Sequence, residues 1–442
     1  MFFAITLCKL LHFVGALVGK GSSMPGKIVM TLFPNILSKV VLPDTVIAVT
    51  GSNGKTSTVE TIAHILTVNG KKVVWNREGS NQTEGVATAI LCACDTKGRV
   101  DADVLLLETD ERYARLTFRH FTPTHFVITN LYRDQMTRNG HNELIYDIIS
   151  DAVKDESLLI LNADDPLASA YGKDHPKAVY YSMDRNRYSS DVPRGRYNDS
   201  AFCPICKHPL KMEYRTFENA GRFFCENCGH SSHEAKYRVT DVDLDNTSFT
   251  FDGKYAVSLK YKGLHNLYNY LAAYTVCCEV GIEPSQSAAA LADFVMNNGR
   301  LTPLTIGGRN SLLLISKHEN SVSYNSSIDY TLRLGKKVDV MIMVNSISRK
   351  YYTGETSWLY DIDFERLDCD KVGKIILCGK YCRDLELRFT LGGFGSVNVY
   401  ESPEDAVRTL KNSENDSVIM TCFADRARLM QAIETVEGEE KR

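Results

Sequence analysis

One short segment of the chain has the residue types and spacing of a phosphate-binding loop. It reads T-G-S-N-G-K-T-S and lies between a β-branched apolar run and a helical pattern. In such a loop, backbone N–H groups at a helix N-terminus bind phosphate oxygens, a lysine (Lys55) reaches the β- and γ-phosphates, and the next hydroxyl (Thr56) binds Mg²⁺. Val49 stands where the standard loop has its first glycine, so a glycine-rich turn without a ligand is the alternative. The predicted nucleotide-binding residues of the loop are Gly51, Ser52, Asn53, Gly54, Lys55, Thr56 and Ser57.

Four of the 13 cysteines form two close pairs with the spacing C-x2-C-x18-C-x2-C. This spacing is typical of a zinc ribbon, in which each pair supplies half of a tetrahedral Zn²⁺ site. Four thiolates leave no open position for water, so the site would be structural rather than catalytic. An iron–sulfur cluster or four free thiols are the alternatives. The predicted zinc ligands are Cys203, Cys206, Cys225 and Cys228.

Short apolar runs separated by helical patterns predict the sheet that must position the loop. Val46–Thr50 leads directly into the loop, and each run is continuously apolar, as expected for strands that are covered on both faces. The alternation predicts an α/β domain with a doubly wound, mostly parallel sheet. The further strand-like runs are Lys72–Trp75, Val104–Leu107, His125–Thr129 and Leu158–Leu161.

The pattern changes twice further along the sequence. From Asp184 to about residue 237 the sequence is polar and contains the paired cysteines, which indicates an insertion. Helical patterns cover His265–Val280 and Pro284–Met296, and from residue 311 onward apolar runs again alternate with helices. We therefore predict three parts: an apolar helical segment at 1–40, a P-loop nucleotide-binding domain at 41–305 with a zinc-ribbon insertion at 184–237, and a smaller Rossmann-like α/β domain at 306–442.

The composition is that of an ordinary globular protein. The 442 residues include 51 Lys and Arg against 54 Asp and Glu, so no basic excess indicates nucleic-acid binding. An odd number of mostly scattered cysteines is typical of a reducing cytoplasm. Met1–Val18 is mostly apolar, but it has no basic residue before its apolar run and no clear small-residue cleavage site, which argues against a signal peptide. The stretch is short for a membrane span and has Lys9 in its middle, which argues against a span. We predict a cytoplasmic protein whose first helix packs on the domain, with an interfacial helix at the inner face of the membrane as the alternative.

The loop resembles the T-G-x-x-G-K-[ST] motif of the Mur ligase family, which includes folylpolyglutamate synthase. The resemblance implies that Glu108 binds Mg²⁺, that Asn269 contacts adenine and that Arg300 contacts the nucleotide. It therefore also implies ATP as the nucleotide. Five further segments resemble family motifs in the same order along the sequence, namely Leu107–Glu111, Thr129–Gln135, Asn162–Asp165, Gly263–Asn269 and Gly299–Arg300.

The sequence also departs from the family pattern. Gln135 stands where the family has a histidine metal ligand, and the lysine that many Mur ligases carbamylate has no clear match. About 40 residues precede the loop region, too few for the domain with which Mur ligases bind a UDP-linked precursor. We therefore expect a substrate other than a UDP-sugar held in the usual way.

The cysteine spacing and two C-terminal segments, Thr356–Glu365 and Gly379–Arg388, are similar to one branch of the family, the ligase subunit of lipid II isoglutaminyl synthase. The resemblance implies ATP-dependent amidation of the D-glutamate α-carboxyl in the lipid II stem peptide, which gives D-isoglutamine through an acyl phosphate. It also implies a heterodimer with a GatD-type glutamine amidotransferase, which supplies ammonia from glutamine. Such an enzyme acts in peptidoglycan synthesis.

Glu355 is the catalytic residue that this resemblance implies. In the branch, an aspartate at its position orients a histidine of the partner subunit, as the acid of a catalytic triad does. A solvated loop acid is the alternative interpretation, and Asp361 is then the next candidate. Lys317–Glu319 also departs from the usual K-N-P-like segment of the branch.

Two other functions stay open at this point. One is a ligase similar to folylpolyglutamate synthase that acts on a soluble acid, and the cysteine quartet counts against it. The other is a nucleotide-binding scaffold that recruits a partner through its ribbon. An intact set of Lys55, Thr56 and Glu108 counts against pure scaffolding.

Overall fold

The structure is a computed structural model that describes residues 1–17, 19–78, 80–193, 198–258, 263–292, 294–295, 300–347 and 354–439. The described residues form two compact units. The first unit contains most of the residues up to 296, and the second contains Arg133–Gly140 together with the residues from 300 onward. Each unit is built around a β-sheet of its own.

The strands of the described residues are β1 (Thr45–Thr50), β2 (Val73–Trp75), β3 (Val104–Glu108), β4 (His125–Ile128), β5 (Leu158–Asn162), β6 (Ala178–Met183), β7 (Lys211–Phe217), β8 (Ala220–Phe224), β9 (Tyr237–Asp243), β10 (Ser248–Phe251), β11 (Tyr255–Ser258), β12 (Leu301–Ile306), β13 (Arg309–Ser316), β14 (Val338–Met343), β15 (Val372–Cys378), β16 (Asn398–Tyr400) and β17 (Asp416–Cys422).

The α-helices of the described residues are α1 (Phe2–Leu17), α2 (Met24–Leu32), α3 (Lys55–Val68), α4 (Thr83–Ala93), α5 (Ala114–Thr117), α6 (Met136–Asn139), α7 (Asn142–Ser150), α8 (Pro166–Ala170), α9 (Leu264–Glu279), α10 (Pro284–Ala289), α11 (Ser321–Leu332), α12 (Cys382–Leu391), α13 (Pro403–Lys411) and α14 (Arg426–Gly438).

The first unit has a nine-stranded sheet in the order β11-β10-β9-β6-β5-β4-β1-β3-β2. The seven strands from β9 to β2 in this order pair in parallel, whereas β10 and β11 are antiparallel. The prediction of a mostly parallel α/β sheet is confirmed. The antiparallel strands at one edge make the sheet mixed, because short turns join β9, β10 and β11.

Successive residues of a strand point to opposite faces of the sheet, and both faces of this one are covered. Leu105 and Leu107 of β3 belong to a buried cluster that α1, α2 and α4 complete. Phe126 of β4 packs on the same side with α5 and α7. Helices α3 and α9 pack against the strands as well, and the intervening residues Leu106 and Val127 are fully buried. The continuous apolar character of these strands follows from this double cover.

Helix α1 packs on the first unit through one of its faces. Ala4, Ile5 and Cys8 are buried together with Val29 of α2 and Ile90 of α4. The predicted packing of this helix on the domain is confirmed for that face. Among the residues that the structure describes, no helix is both long and apolar enough to cross a bilayer.

The helix predicted over Pro284–Met296 is wrong in its length, because α10 ends at Ala289. The C=O of Ala290 contacts the ring nitrogen of His64 (2.8 Å), and the N–H of Phe294 bonds to Leu291 instead of continuing the helix. Phe294 packs against His64, with ring centroids 5.0 Å apart. A tertiary contact thus overrides the helical pattern. Met296 itself lies outside the described residues.

The second unit has a six-stranded sheet in the order β12-β13-β17-β14-β15-β16. The hairpin β12–β13 is antiparallel, and the other pairs are parallel. Alternate residues of β14 enter two separate cores, with Val340 and Ile342 in one and Met341 and Met343 in the other. This unit is an α/β fold of its own.

Candidate active site and metal centre

The loop after β1 has a backbone shape that its two glycines make possible. Gly51 has φ +133° and Gly54 has φ +83°, a region that residues with side chains rarely adopt. A Cβ on Gly54 would lie 2.0 Å from Asn269 Oδ1, and one on Gly51 would lie 2.2 Å from Thr129 Oγ1. The structure therefore places the predicted residue Asn269 directly against the loop.

Residues that follow β4 hold the loop in this shape. The N–H groups of Ser52 and Asn53 donate to the backbone and side-chain oxygens of Asn130 (both 2.9 Å), and Asn130 Nδ2 donates back to the Asn53 C=O (3.0 Å). Ser52 Oγ donates to the C=O of Tyr132 (3.0 Å). The loop is thus fixed before any ligand binds, which lowers the entropic cost of binding.

The N-terminus of α3 and the Lys55 ammonium group form the positive part of the site. The helical hydrogen bonds begin with the Thr58 N–H to the Gly54 C=O (2.8 Å), so the preceding N–H groups lie at the open end of the helix, where anions bind favourably. Lys55 Nζ is buried, 2.5 Å from Glu111 Oε1, and also donates to the Gly51 C=O. Glu111 is the last residue of the Leu107–Glu111 segment, but its sequence position alone predicted no contact with Lys55.

Glu108 lies beside the loop at the end of β3. Its register partner on β1 is Val49, two residues before the first loop glycine. The carboxylate is buried and accepts from Asn81 Nδ2 (3.0 Å), while Asn76 Oδ1 accepts from the Glu108 N–H (2.8 Å). A carboxylate, an amide and the Thr56 hydroxyl are oxygen donors of the kind that Mg²⁺ prefers. The residues present therefore fit a Mg²⁺–nucleotide.

The N-x-D-D segment has a structural role. Asp165 caps α8, and its other oxygen accepts from the Leu131 N–H (2.9 Å) next to the loop-binding segment. The Asp164 carboxylate accepts from the Tyr268 hydroxyl (2.7 Å), and its backbone carbonyl oxygen accepts from the N–H of Gly221 in the cysteine insertion (2.8 Å). Burial raises the pKa of Asp164 to about 7. The segment thus links the loop, α9 and the insertion.

The four predicted ligand cysteines converge on one point. All four Sγ atoms lie within 4.8 Å of one another. The Cys203–Cys228 pair is 3.6 Å apart and the Cys206–Cys225 pair is 3.4 Å apart, too long for disulfides. Zn–S bonds of about 2.3 Å in a tetrahedron require S–S distances of about 3.8 Å. The cluster therefore fits one tetrahedral metal ion.

Each cysteine pair is shaped by its own turn. The N–H of Cys203 donates to the C=O of His208 (2.8 Å), and the N–H of Cys225 donates to the C=O of His230 (2.7 Å). The two turns share the sequence F-C-x-x-C-x-H at 202–208 and 224–230, and the hairpin β7–β8 joins them. Two like halves thus face each other across the cluster.

Glu355 lies on the surface of the second unit. Hydrogen bonds from Ser357, including its N–H (2.8 Å), lower the pKa of the Glu355 carboxyl, so this acid is ionised at neutral pH. The following residues turn inward, and Trp358 and Leu359 are buried. An exposed, ionised carboxylate on a packed support is suited to contact another molecule.

Arg388 of α12 supports the segment after Glu355. Its guanidinium is fully buried and forms two 2.8 Å bonds with Glu365. It also donates to the C=O of Ile362 (2.7 Å) and of Leu359 (3.2 Å). One side chain thus holds three points of the segment. Arg388 is the last residue of the Gly379–Arg388 segment, and its sequence position alone predicted no role for it.

A second cluster of charged residues in this unit surrounds Asp134. Its carboxylate contacts Lys317 Nζ and accepts from Asn320 Nδ2 (3.0 Å). Glu319 accepts from the N–H (3.0 Å) and hydroxyl (2.7 Å) of Thr137, and burial raises the pKa of its carboxyl. Lys317–Glu319, which departs from the usual motif, thus anchors the 133–140 segment.

Arg300, the last predicted nucleotide-binding residue, belongs to the second unit. Its guanidinium lies over the ring of Phe423, 5.6 Å from the centroid. Gly299, its neighbour in the motif, lies outside the described residues. The nucleotide contact of Arg300 stays a prediction.

Two family models match the sequence. Residues 49–277 match the Mur ligase middle domain, and residues 318–424 match the MurT ligase C-terminal domain. Among solved structures, a pseudomurein peptide ligase type C from Methanothermus fervidus has a TM-score of 0.70 at 21% identity, and the match covers 91% of this chain and 81% of that one. MurF from Thermotoga maritima in complex with ADP has a TM-score of 0.59 at 16% identity, with coverage of 94% and 85%. These likenesses show a Mur-ligase-like α/β fold.

Curated relatives extend the match to nearly the whole sequence. The MurT subunit of lipid II isoglutaminyl synthase from Staphylococcus aureus is 30% identical over 395 residues, which cover 88% of this chain and 87% of the relative. The subunit of the same name from Streptococcus pneumoniae is 29% identical and covers 91% and 90%. The chain therefore belongs to the Mur ligase family of enzymes, in the branch of the MurT subunits.

Proposed function

We propose that the protein is the ligase subunit of a lipid II isoglutaminyl synthase. It would use ATP to amidate the α-carboxyl of D-glutamate in the lipid II stem peptide, giving D-isoglutamine for peptidoglycan synthesis. The names of the curated relatives and the match to the MurT ligase C-terminal domain support this substrate. The phosphate loop, held rigid against Asn130 and Asn269, is the observation that carries the reaction type.

The reaction needs an activated carboxylate, because oxide is a poor leaving group. Transfer of the γ-phosphoryl group of ATP to a carboxylate oxygen gives an acyl phosphate and ADP. Ammonia then attacks the carbonyl carbon, phosphate leaves, and the nitrogen loses a proton to give the amide. The N-terminus of α3 would bind the phosphates, and Lys55 would stabilise the charge on the transferred group. Mg²⁺, held by Thr56 and Glu108, would neutralise further phosphate charge.

Ammonia would come from a GatD-type glutamine amidotransferase bound as a heterodimer. Glu355 would orient a histidine of that partner, as a triad acid does. The exposure of Glu355 and its lowered pKa support this role, since the acid is ionised and accessible from outside the unit.

The four cysteines would hold a structural Zn²⁺. The convergence of four Sγ atoms and the paired turns support a closed tetrahedral site. The ion would fix the hairpin β7–β8, whose residue Gly221 donates to Asp164 near the loop. The metal would thus stabilise the insertion and take no part in the chemistry.

The test is reconstitution with the co-expressed glutamine amidotransferase subunit. Lipid II, ATP and glutamine are supplied, and ADP, glutamate and the mass of the lipid II stem peptide are measured. We expect replacement of one hydroxyl by an amino group, with one ADP and one glutamate formed per turnover. ATP-dependent addition of an amino acid to a soluble acid, independent of glutamine, would contradict the proposal and favour the folylpolyglutamate-synthase-like alternative.

A further inference from the structure

The outer face of α1 is apolar. Six large apolar side chains on this 16-residue helix are between 51% and 77% exposed, namely Phe2, Phe3, Leu10, Phe13, Val14 and Leu17. Their spacing of three, four and seven residues places them along one side of the helix. A helix on the surface of a globular protein normally has polar residues there. The face is therefore unlike that of an ordinary surface helix.

The two longer polar side chains of α1, Lys9 and His12, contact the protein instead. Lys9 Nζ donates to the C=O of Cys94 (2.7 Å), and His12 Nδ1 contacts the C=O of Gly21 (3.0 Å). The opposite face is buried through Ala4, Ile5, Cys8 and Gly15. Since the helix is firmly packed by that face, the exposure of its other face does not reflect an unpacked helix.

The charged residues of the N-terminal segment have one sign, although Glu78 from a later segment lies 3.8 Å from His12 of α1. Residues 1–43 contain Lys9, Lys20, Lys27 and Lys39 but no acidic residue, although the whole protein has a net charge of −3. Lys20, Lys27 and Lys39 are exposed. An exposed apolar helix face within a segment whose charged residues are all lysines is complementary to an anionic lipid surface, where apolar side chains enter the acyl region and ammonium groups meet the head groups.

The length of α1 decides between lying on a bilayer and crossing it. Sixteen residues at 1.5 Å each give a helix of about 24 Å, shorter than the hydrocarbon core of about 30 Å. The opposite face of α1 is buried against α2 and α4. The helix can therefore only lie parallel to the membrane plane.

We propose that the outer face of α1 docks the protein on the surface of a bilayer that contains anionic phospholipid. The purpose of this docking rests on the proposed function. Lipid II is anchored in the membrane, and docking would keep the ligase at the membrane surface, close to this substrate. Self-association of two copies would also cover the apolar face, but it would bring their lysines together rather than neutralise them.

Flotation of the full-length protein with vesicles tests the proposal without ATP or lipid II. Vesicles of phosphatidylcholine with phosphatidylglycerol should retain the protein, and vesicles of phosphatidylcholine alone should retain much less. High salt should weaken the binding to the anionic vesicles. The variant F3S/L10S/F13S should bind at least about a thousandfold more weakly, since burial of each of the three residues contributes about tenfold or more. The matched control L387S/L391S removes two similarly exposed leucines from α12 and should bind like the wild type.

A second measurement locates the helix in the bilayer. Phe13→Trp should show a blue-shifted emission with anionic vesicles and should be quenched by lipids with brominated acyl chains. Absence of wild-type flotation, or flotation that F3S/L10S/F13S leaves unchanged, would overturn the proposal. So would a concentration-dependent dimer that this variant abolishes, or protection of α1 from hydrogen exchange by the partner subunit.

The outcome is separable from that of the proposed function. In detergent, where docking is not needed, F3S/L10S/F13S should turn over lipid II at the wild-type rate if both proposals hold. Loss of flotation with intact detergent activity supports docking. Vesicle binding by a protein that amidates nothing would support docking and contradict the proposed function alone.

Discussion

The phosphate loop and the Glu355 segment differ in where their partners lie. Every loop residue from Gly51 to Lys55 is fixed by groups of the same unit, and the charge of Lys55 is balanced by buried Glu111. Glu355 is instead exposed, and it accepts a hydrogen bond from Ser357, which precedes the residues that Arg388 holds. The phosphate loop is therefore positioned without any residue from another protein. An exposed acid on a packed support, as Glu355 is, can be reached by another molecule, and its proposed role needs such a partner.

The largest effect should come from the loop. Lys55→Ala should lower ATP turnover by at least about a thousandfold, because it removes the cation that we propose stabilises the transferred phosphoryl group. It should abolish both glutamine-driven and ammonium-driven amidation. Turnover is measured as ADP release by the reconstituted complex, with Lys173→Ala as a surface control.

A stability control is needed because Lys55→Ala leaves Glu111 buried without its cation, which is destabilising. The double variant K55A/E111Q removes that unpaired charge and should recover thermal stability but not activity. Wild-type rates in either variant would contradict the assignment of the nucleotide site.

The second effect comes from Glu355 and distinguishes the function of its segment from that of the phosphate loop. Glu355→Gln removes the charge at nearly constant shape, so glutamine hydrolysis by the complex should fall by about two to four orders of magnitude. Amidation driven by added ammonium should persist, because the loop is unchanged. Glu414→Gln is a control acid in the same unit.

Loss of both activities in E355Q would place Glu355 in the ligase chemistry or the fold. Loss of neither would make it a surface acid. In that case Asp361→Asn becomes the next variant, since Asp361 lies in the same segment, 3.7 Å from Arg133.

The third effect concerns the cysteine cluster, which belongs neither to the phosphate loop nor to the Glu355 segment. The purified protein should bind about one zinc ion, and Cys203→Ser should release it, since three thiolates and an alcohol form a weaker site. Protease cleavage within 198–237 should increase before ATP turnover falls. Metal analysis and limited proteolysis measure the two changes. A brown protein that contains iron would contradict the zinc assignment.

The sequence predicted these regions unequally, for a physical reason. The cysteine turns are shaped by hydrogen bonds within eight residues, so spacing alone was enough to find them. The β1–loop–α3 unit and the parallel strands also follow from local patterns. Glu111 and Asn130 lie in segments that resemble family motifs, but their contacts with the loop join distant parts of the sequence and were not predicted, and Asn76 lies in none of those segments. The end of α10 was missed for the same reason, because a contact with His64 sets it.

The smallest effect tests the support beneath Glu355. Arg388→Met keeps the apolar stem of the side chain but removes the bonds to Glu365, Ile362 and Leu359. Loss of a buried, paired cation should lower the free energy of unfolding by about 3 kcal/mol, measured by denaturant titration. Arg383→Ala is the control on the same helix, because its pair with Glu386 is exposed and surface ion pairs contribute little to stability.

If Arg388 positions the segment, R388M should also lower glutamine hydrolysis by the folded complex about tenfold, with ATP turnover driven by ammonium unchanged. A purely stabilising role would lower the free energy of unfolding and leave both activities intact below the melting temperature. The first result would show that the exposed acid depends on the buried cation. The second would confine Arg388 to the fold, and Ser357, which donates to Glu355 directly, would then suffice to orient the carboxylate.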